Sequence, residues 1–267
     1  MKVRINENWA ETAPDTTLGG LAQAYKPGSD VLILNGFPSP SGTVLSEGDE
    51  VFLIRRGEQP NQEELEGLMA ARHTPGVHAR LKQACIGIAG AGGLGSAVAV
   101  ALARIGVGRL IIADFDVVEP SNLNRQQYFI DQIGFLKVEA LADNLKRINP
   151  YVTVKTHPLL LTPDNIPDIF APCQVVVEAF DRADMKAMLV DTVLTELPQS
   201  AIVAASGVAG YEPNNTICTR KVSRRLYLVG DSISEAKPGS GLMAPRVGIA
   251  AHHQANQAVR IILGEDQ

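Results

Sequence analysis

Apolar residues along this chain change their spacing twice. In the first 57 residues they come in short runs. Lys2 to Asn6 alternates as a strand does, Asp15-Thr-Thr stands where it can cap a helix over 18–25, and Val31-Leu-Ile-Leu-Asn35-Gly36 reads as a strand entering a turn. Gly48-Asp49 then leads into a last strand, Glu50-Val-Phe-Leu-Ile-Arg55. Glu58 to Arg72 is polar and then helical, with Pro60 and the acids Glu63, Glu64 and Glu66 suited to a helix start. From Leu81 onward β-branched runs alternate with longer periodic stretches. Strands are expected near 84–89, 109–114, 152–157, 174–179 and 201–205, and helices near 94–105, 135–148, 182–194 and 248–263.

These patterns divide the chain into residues 1–57, a linker and helix over 58–80, and a large domain over 81–267. Strand, helix, strand, strand in so short a span suggests a β-grasp, the ubiquitin-like fold. The alternation beyond it argues for an α/β, Rossmann-like domain, a mainly parallel sheet with helices on both faces. The formal net charge of −5 implies no broad basic face for nucleic acid. No apolar run is long enough to span a bilayer, and the first residues read as a polar strand and not as a signal peptide. The cysteines, Cys85, Cys173 and Cys218, include no C-x-x-C pair, so neither a disulfide framework nor a four-cysteine zinc site is supported and a cytoplasmic setting is expected.

Chemistry concentrates after the first strand of the large domain. Cys85-Ile-Gly-Ile-Ala-Gly90-Ala-Gly92-Gly93-Leu-Gly95-Ser96 is a strand, a glycine turn and the start of an alanine-rich helix. Such a turn lets a phosphate reach bare N–H groups at the positive end of a helix. Leu110-Ile-Ile-Ala-Asp114-Phe-Asp116 places acids roughly 20 residues further on, where a ribose hydroxyl is held in nucleotide folds. The loop Ser121-Asn122-Leu123-Asn124-Arg125-Gln126 follows at the carboxyl edge of the sheet. Arg125 suits a phosphate or carboxylate, or equally a structural hydrogen bond. Lys137 stands in the first turn of a helix, where a cation is disfavoured unless an anion offsets it. Asp181 ends a buried-type strand and suits Mg²⁺ beside a triphosphate, a helix N-cap, or both.

The run Gly90-x-Gly92-Gly93-Leu94-Gly95, Asp114-x-Asp116, Ser121-Asn122-Leu123-x-Arg125-Gln126, Gly134-x-x-Lys137 and Asp181 closely resembles the ThiF/MoeB/HesA adenylyltransferases, bacterial relatives of ubiquitin-activating enzymes. Ala204-Ala-Ser206-Gly207-Val-Ala-Gly210-Tyr211 and Gly241-Leu-Met-Ala-Pro245-Arg-Val-Gly248 fit the same family. Residues 1–57 separately resemble ThiS, the sulfur carrier of thiamine synthesis, which points to the ThiF branch. The resemblance implies ATP- and Mg²⁺-dependent adenylation of the C-terminal glycine carboxylate of a ubiquitin-like, ThiS-like sulfur carrier. It implies that Arg125, Lys137 and Asn122 stabilise the transferring phosphoryl group, that Asp181 binds Mg²⁺ and that Asp114 holds the ribose, with Gly93 giving backbone contacts. It further implies a homodimer in which an arginine of one subunit reaches the other's ATP. Arg72 is the candidate, with Arg80 second.

The chain also departs from its relatives. It lacks their two C-x-x-C pairs, so no zinc is expected. Cys218, beside Arg220 and Lys221, lies near where some relatives carry a reactive cysteine. Arg182 replaces the asparagine that often follows the aspartate. In the small unit, Arg55-Arg56-Gly57 runs on into Glu58-Gln59-Pro60, so Gly57 has no terminal carboxylate. That unit therefore reads as a structural or regulatory pseudo-carrier. Two alternatives remain at this point, a non-catalytic or autoinhibited nucleotide-binding module and an NAD-dependent oxidoreductase.

Overall fold

The computed structural model describes residues 1–6 and 8–265; the expected C-terminal bound at 267 lies outside them. The chain forms two compact units, Met1–Arg80 and Leu81–Gln267. In the first, β1 (Lys2–Ile5) and β2 (Asn8–Glu11) make an antiparallel hairpin, and α1 (Leu18–Tyr25) follows. β3 (Val31–Leu34) pairs with the short β4 (Phe37–Pro38), and β5 (Glu50–Ile54) inserts between β1 and β3. The order β2-β1-β5-β3-β4, with β5 parallel to β1, is that of a β-grasp. α2 (Gln62–His73) and α3 (Pro75–Gln83) complete the segment before the large sheet.

Alternation along β5 sends its side chains to two different cores. Val51 and Leu53 join Val3, Ile5, Leu18 and Leu21 under α1, while Phe52 and Ile54 join Ile33, against which Leu68 and Ala71 of α2 pack. The segment expected to be a linker helix is thus part of the small unit's own packing. It is started by a capping box between Asn61 and Glu64. β2 and β4 were not expected. β2 reads Asn-Trp-Ala-Glu, is largely exposed and has no alternation to betray it. β4 is two residues long and contains proline.

The second unit contains β6 (Cys85–Ala89), α4 (Gly93–Arg104), β7 (Arg109–Ala113), α5 (Lys137–Ile148), β8 (Thr153–His157), α6 (Ile166–Phe170), β9 (Val175–Glu178), α7 (Ala183–Glu196), β10 (Ala201–Ala205), β11 (Cys218–Lys221), β12 (Leu226–Gly230) and α8 (Ala244–Ile262). Its seven-stranded sheet has the order β11-β12-β10-β9-β6-β7-β8. Every pairing is parallel except β11 with β12. α6 and α7 bury one face over Cys85, Ile111, Val176 and Ile202, and the alternate strand residues Ile86, Ile88, Leu110 and Ile112 are buried towards the other. β11, β12 and α6 go beyond the elements expected. Cys85 and Cys173 are free thiols lying 3.6 Å apart in this core. Among the described residues no helix is long and apolar enough to cross a membrane.

The chain steps outward from β6 to β7 and β8, then returns to place β9 on the opposite side of β6. This reversal opens a crevice beyond the carboxyl ends of β6 and β9, the usual ligand position in an open α/β sheet.

Candidate nucleotide site

The glycine turn sits at that reversal. Gly90 follows β6 with φ +98°, a left-handed conformation, and a side chain there would press on the Ala179 carbonyl just after β9. A Cβ on Gly95 would stand 1.8 Å from the Gly90 carbonyl oxygen, so the first turn of α4 can lie on the loop only without one. Gly92 is the N-cap and has no side chain to bond the first N–H groups of the helix. Those donors and the helix dipole face the crevice mouth.

A chain of polar contacts links the turn to the acidic strand end. Asp114 Oδ2 accepts from the Ala91 N–H at 2.7 Å, and Oδ1 accepts from the Asp116 N–H at 2.7 Å. Asp116 Oδ2 accepts from Lys137 Nζ at 2.7 Å, and Lys137 is buried. The anion that offsets Lys137 at the start of α5 is therefore Asp116. Each Asp114 oxygen keeps a further lone pair for a ligand hydroxyl. Tyr128 closes the turn from behind by donating from its hydroxyl to the Ala91 carbonyl at 2.7 Å. Burial, with the charges of Asp114 and Asp116 adding to it, drives the Tyr128 phenol well above its usual range, so it remains a donor.

The loop after β7 folds into a 3₁₀ turn over Pro120–Asn122. Asn122 is buried; its Oδ1 accepts from the Glu119 N–H at 3.1 Å and its Nδ2 donates to Ser121 Oγ at 3.4 Å. Ser121 is exposed and donates to Glu119. Arg125 donates to the Ser121 carbonyl at 3.2 Å and to Asn124 Oδ1 at 2.8 Å. Its methylenes cross Gly93, where an added Cβ would lie 3.3 Å from Arg125 Cγ and 3.0 Å from Val247 of α8. The glycine turn, Asp114, Asp116, Lys137 and Arg125 are thus assembled around one helix N-terminus.

Asp181 lies beyond β9, on the other side of the crevice, exposed. Its carboxylate makes no hydrogen bond or ion pair among the described residues. It does not cap α7: the N-cap is Arg182, and no side chain caps that helix. Arg182 itself bonds Asp184. Arg72 lies in the first unit, exposed at the end of α2. Cys218 is exposed on β11 and bonds the Asn215 carbonyl, while Arg220 bonds Ser232 and Lys221 lies over the Tyr227 ring.

Several residues that build the site were missed. Glu178 ends β9 with its carboxylate fully buried, accepting from Phe180 N–H at 2.7 Å, Ala205 N–H at 3.1 Å and Lys186 Nζ at 2.9 Å. Burial pushes its pKa up against the opposing pull of Lys186. A charged residue closing the apolar run Val175-Val-Val-Glu178 was itself the signal, since such a group is rarely buried without a partner. Arg246 of α8 reaches Asp231 at 2.7 Å, Thr216 at 3.0 Å and the Glu212 carbonyl at 2.9 Å, pinning the long loop after β10. Burial works against the Asp231 charge, but bonds from Ser234, Ile233 and Arg246 prevail and hold its pKa below the usual range.

Comparison with known families matches residues 68–267 to the ThiF family and residues 1–57 to ThiS-like ubiquitin. The protein called adenylyltransferase and sulfurtransferase UBA4 of Candida glabrata is 34% identical over 197 residues, 69% of this chain and 44% of that one. Molybdopterin-synthase adenylyltransferase of Salmonella typhimurium is 33% identical over 189 residues, 68% of this chain and 74% of its own. This chain spans less than half the length of the UBA4 relatives it matches. The E. coli tRNA N6-threonylcarbamoyladenosine dehydratase, solved with AMP, superposes with a TM-score of 0.69 over 78% of this chain and 99% of its own. At 21% identity that likeness is one of fold. With its glycine turn, its acidic strand end and the greater part of its length matched in order, the chain belongs to the ThiF family.

Proposed function

We propose that this protein is an ATP-dependent adenylyltransferase that activates the C-terminal glycine carboxylate of a ubiquitin-like sulfur carrier. The carboxylate oxygen attacks the α-phosphorus of ATP, a P–O bond forms to the carrier, and the bond to pyrophosphate breaks, leaving an acyl adenylate. One observation carries the reading: an uncapped helix N-terminus, the Asp114–Asp116–Lys137 chain and the Arg125 guanidinium converge at the sheet's reversal. Two anions must meet there, and fixed cations and N–H donors lower that barrier. Arg125 and Lys137 take up the developing phosphoryl charge. Asn122 donates from its amide, and Asp114 accepts from the ribose.

Asp181 fits a magnesium ligand, being a hard oxygen donor without a protein partner at the crevice. No group of three or more His, Cys, Asp or Glu side chains suited to a metal occurs among the described residues, so substrate phosphates and water would complete the shell. A magnesium ion held by Asp181 would supply positive charge to offset the negative charge of the leaving pyrophosphate. The ThiS-like first unit favours a ThiS-like carrier and thiamine synthesis over molybdopterin or tRNA thiolation. The working state is a cytoplasmic homodimer in which Arg72 serves the partner's ATP, with no role for nucleic acid or a membrane.

The first unit is a pseudo-carrier. Arg55 pairs with Glu58 at 3.0 Å across Gly57, so the chain continues where a substrate tail would end. ATP–pyrophosphate exchange against purified ThiS-like and MoaD-like carriers tests the function; no exchange with any carrier overturns it. Intact-mass measurement of protein from its host tests the pseudo-carrier. The expected result is the uncut chain, and a species ending at Gly57 overturns it.

A further inference from the structure

We infer that Gln126 is a nucleotide-binding residue whose carboxamide oxygen accepts a hydrogen bond from the nucleoside part of ATP, an inference that rests on the nucleotide reading of the crevice. Gln126 is 7% exposed, and its main-chain N–H is used by the Asn122 carbonyl at 2.9 Å. Its Oε1, however, is buried without a hydrogen-bond partner among the described residues. The amide lies beside the glycine turn, with Nε2 3.9 Å from where a Cβ would stand on Gly92. Gly92 is the N-cap of α4. A buried acceptor left empty is unfavourable, because its hydration is lost and nothing replaces it. An amide beside an uncapped helix N-terminus, with its oxygen left empty, marks a place completed by a ligand.

The chemistry of the missing partner follows from the atom. Oε1 needs a donor, and phosphate oxygens at neutral pH supply none. The donors on ATP are its ribose hydroxyls and its adenine amino group. The neighbouring Ala91 N–H is bonded to Asp114, the proposed ribose ligand, so Gln126 and Asp114 bracket the same turn.

The test uses the full chain with Gln126→Leu and Gln126→Met, which remove the amide while keeping bulk. Calorimetric titration with ATP and with AMP should show both ligands weakened roughly tenfold in each variant. The ligand-free thermal midpoint should stay level or rise, because an unsatisfied polar atom has been removed. A structural role predicts the opposite pair of results, a lower midpoint in both variants with ATP affinity intact, and overturns the inference. A loss seen with ATP but absent with AMP puts the contact on the outer phosphates and also overturns it. Wild-type protein that binds neither ligand overturns the nucleotide reading itself. Wild type that binds while both variants bind equally well overturns only the assignment of Gln126.

Discussion

The two units differ in where their open polar groups lie. In the small unit the buried Glu64 is fully engaged: Lys26 donates to it at 2.5 Å, Asn6 at 3.4 Å, and the Asn61 N–H at 3.3 Å. Both faces of its sheet are covered, one by α1 and the other by α2. In the large unit His157 Nε2, Arg246 Nε and Gln254 Oε1 are buried without partners among the described residues, and three further open features belong to the crevice: α4 is uncapped, Gln126 Oε1 has no partner and the Asp181 carboxylate makes no bond among those residues. The small unit has an open atom as well, since His73 Nδ1 is buried without a hydrogen-bond partner among the described residues. What sets the large unit apart is that open donors and acceptors from several elements line one crevice, where a ligand can meet them. The ThiS-like unit has the β-grasp strand order, and its chain runs on past Gly57 into α2.

The largest expected effect tests where the chemistry sits. Lys137→Ala and Asp181→Ala should each lower carrier-dependent pyrophosphate exchange by about 10²–10³, as loss of one preorganised charged contact does. Arg55→Ala in the small unit should leave exchange within about twofold, since exposed ion pairs contribute little. Equal losses from both units would break the comparison. The effect of Asp181→Ala should shrink as Mg²⁺ is raised, whereas that of Lys137→Ala should not.

Next in size are two glycines in tight contact. A Cβ on Gly95 meets the Gly90 carbonyl at 1.8 Å, whereas one on Gly67 of α2 meets the Phe52 ring at 2.7 Å. Backbone cannot give way as a side chain can. Gly95→Ala should therefore destabilise the large unit by about 3 kcal/mol or more and abolish ATP binding. Gly67→Ala gains helix propensity worth about 1 kcal/mol and strains a ring that can shift, so its net effect on the small unit should stay under about 2 kcal/mol. Urea unfolding of each variant, with ATP titration alongside, measures both. The reverse order of effects would show that the glycine turn is the more adaptable of the two.

What the sequence made legible follows the range of the forces involved. The turn at Gly90–Gly95, the helix after it and the strand ending at Asp114 were readable because glycine geometry and apolar period act locally. β12 lies far in sequence from β10, with which it pairs, and β11 is mostly exposed, so neither announced itself. α6 is too short for a helical period to show. At the site, Lys137 was visible as a cation in an unfavourable place. That Asp116 answers it, 21 residues earlier, is a tertiary fact. The same holds for Lys186 beneath Glu178, and for the empty acceptor of Gln126. Residue types announced chemistry, while pairings and vacant hydrogen bonds required the fold.

The smallest expected effect sets one histidine in each unit against the other. His73 Nδ1 in α2 and His157 Nε2 in β8 are buried without hydrogen-bond partners among the described residues. Burial lowers the pKa of His73, and burial followed by the nearby charge of Lys155 lowers that of His157. The neutral ring is the folded form in both. The unfolded chain therefore takes up protons more readily as pH falls through its ordinary histidine value, near 6.5. Stability from these residues is complete above that pH and is eroded below it. Urea midpoints measured at pH 8 and pH 5.5 should fall for the wild type, and fall less for His73→Asn and for His157→Asn. Lys155→Met should relieve part of the loss attributed to His157 and none of that attributed to His73. An unchanged slope in His157→Asn would mean that β8 opens to water well before the large unit unfolds, and the contrast between the units would then rest on the crevice alone.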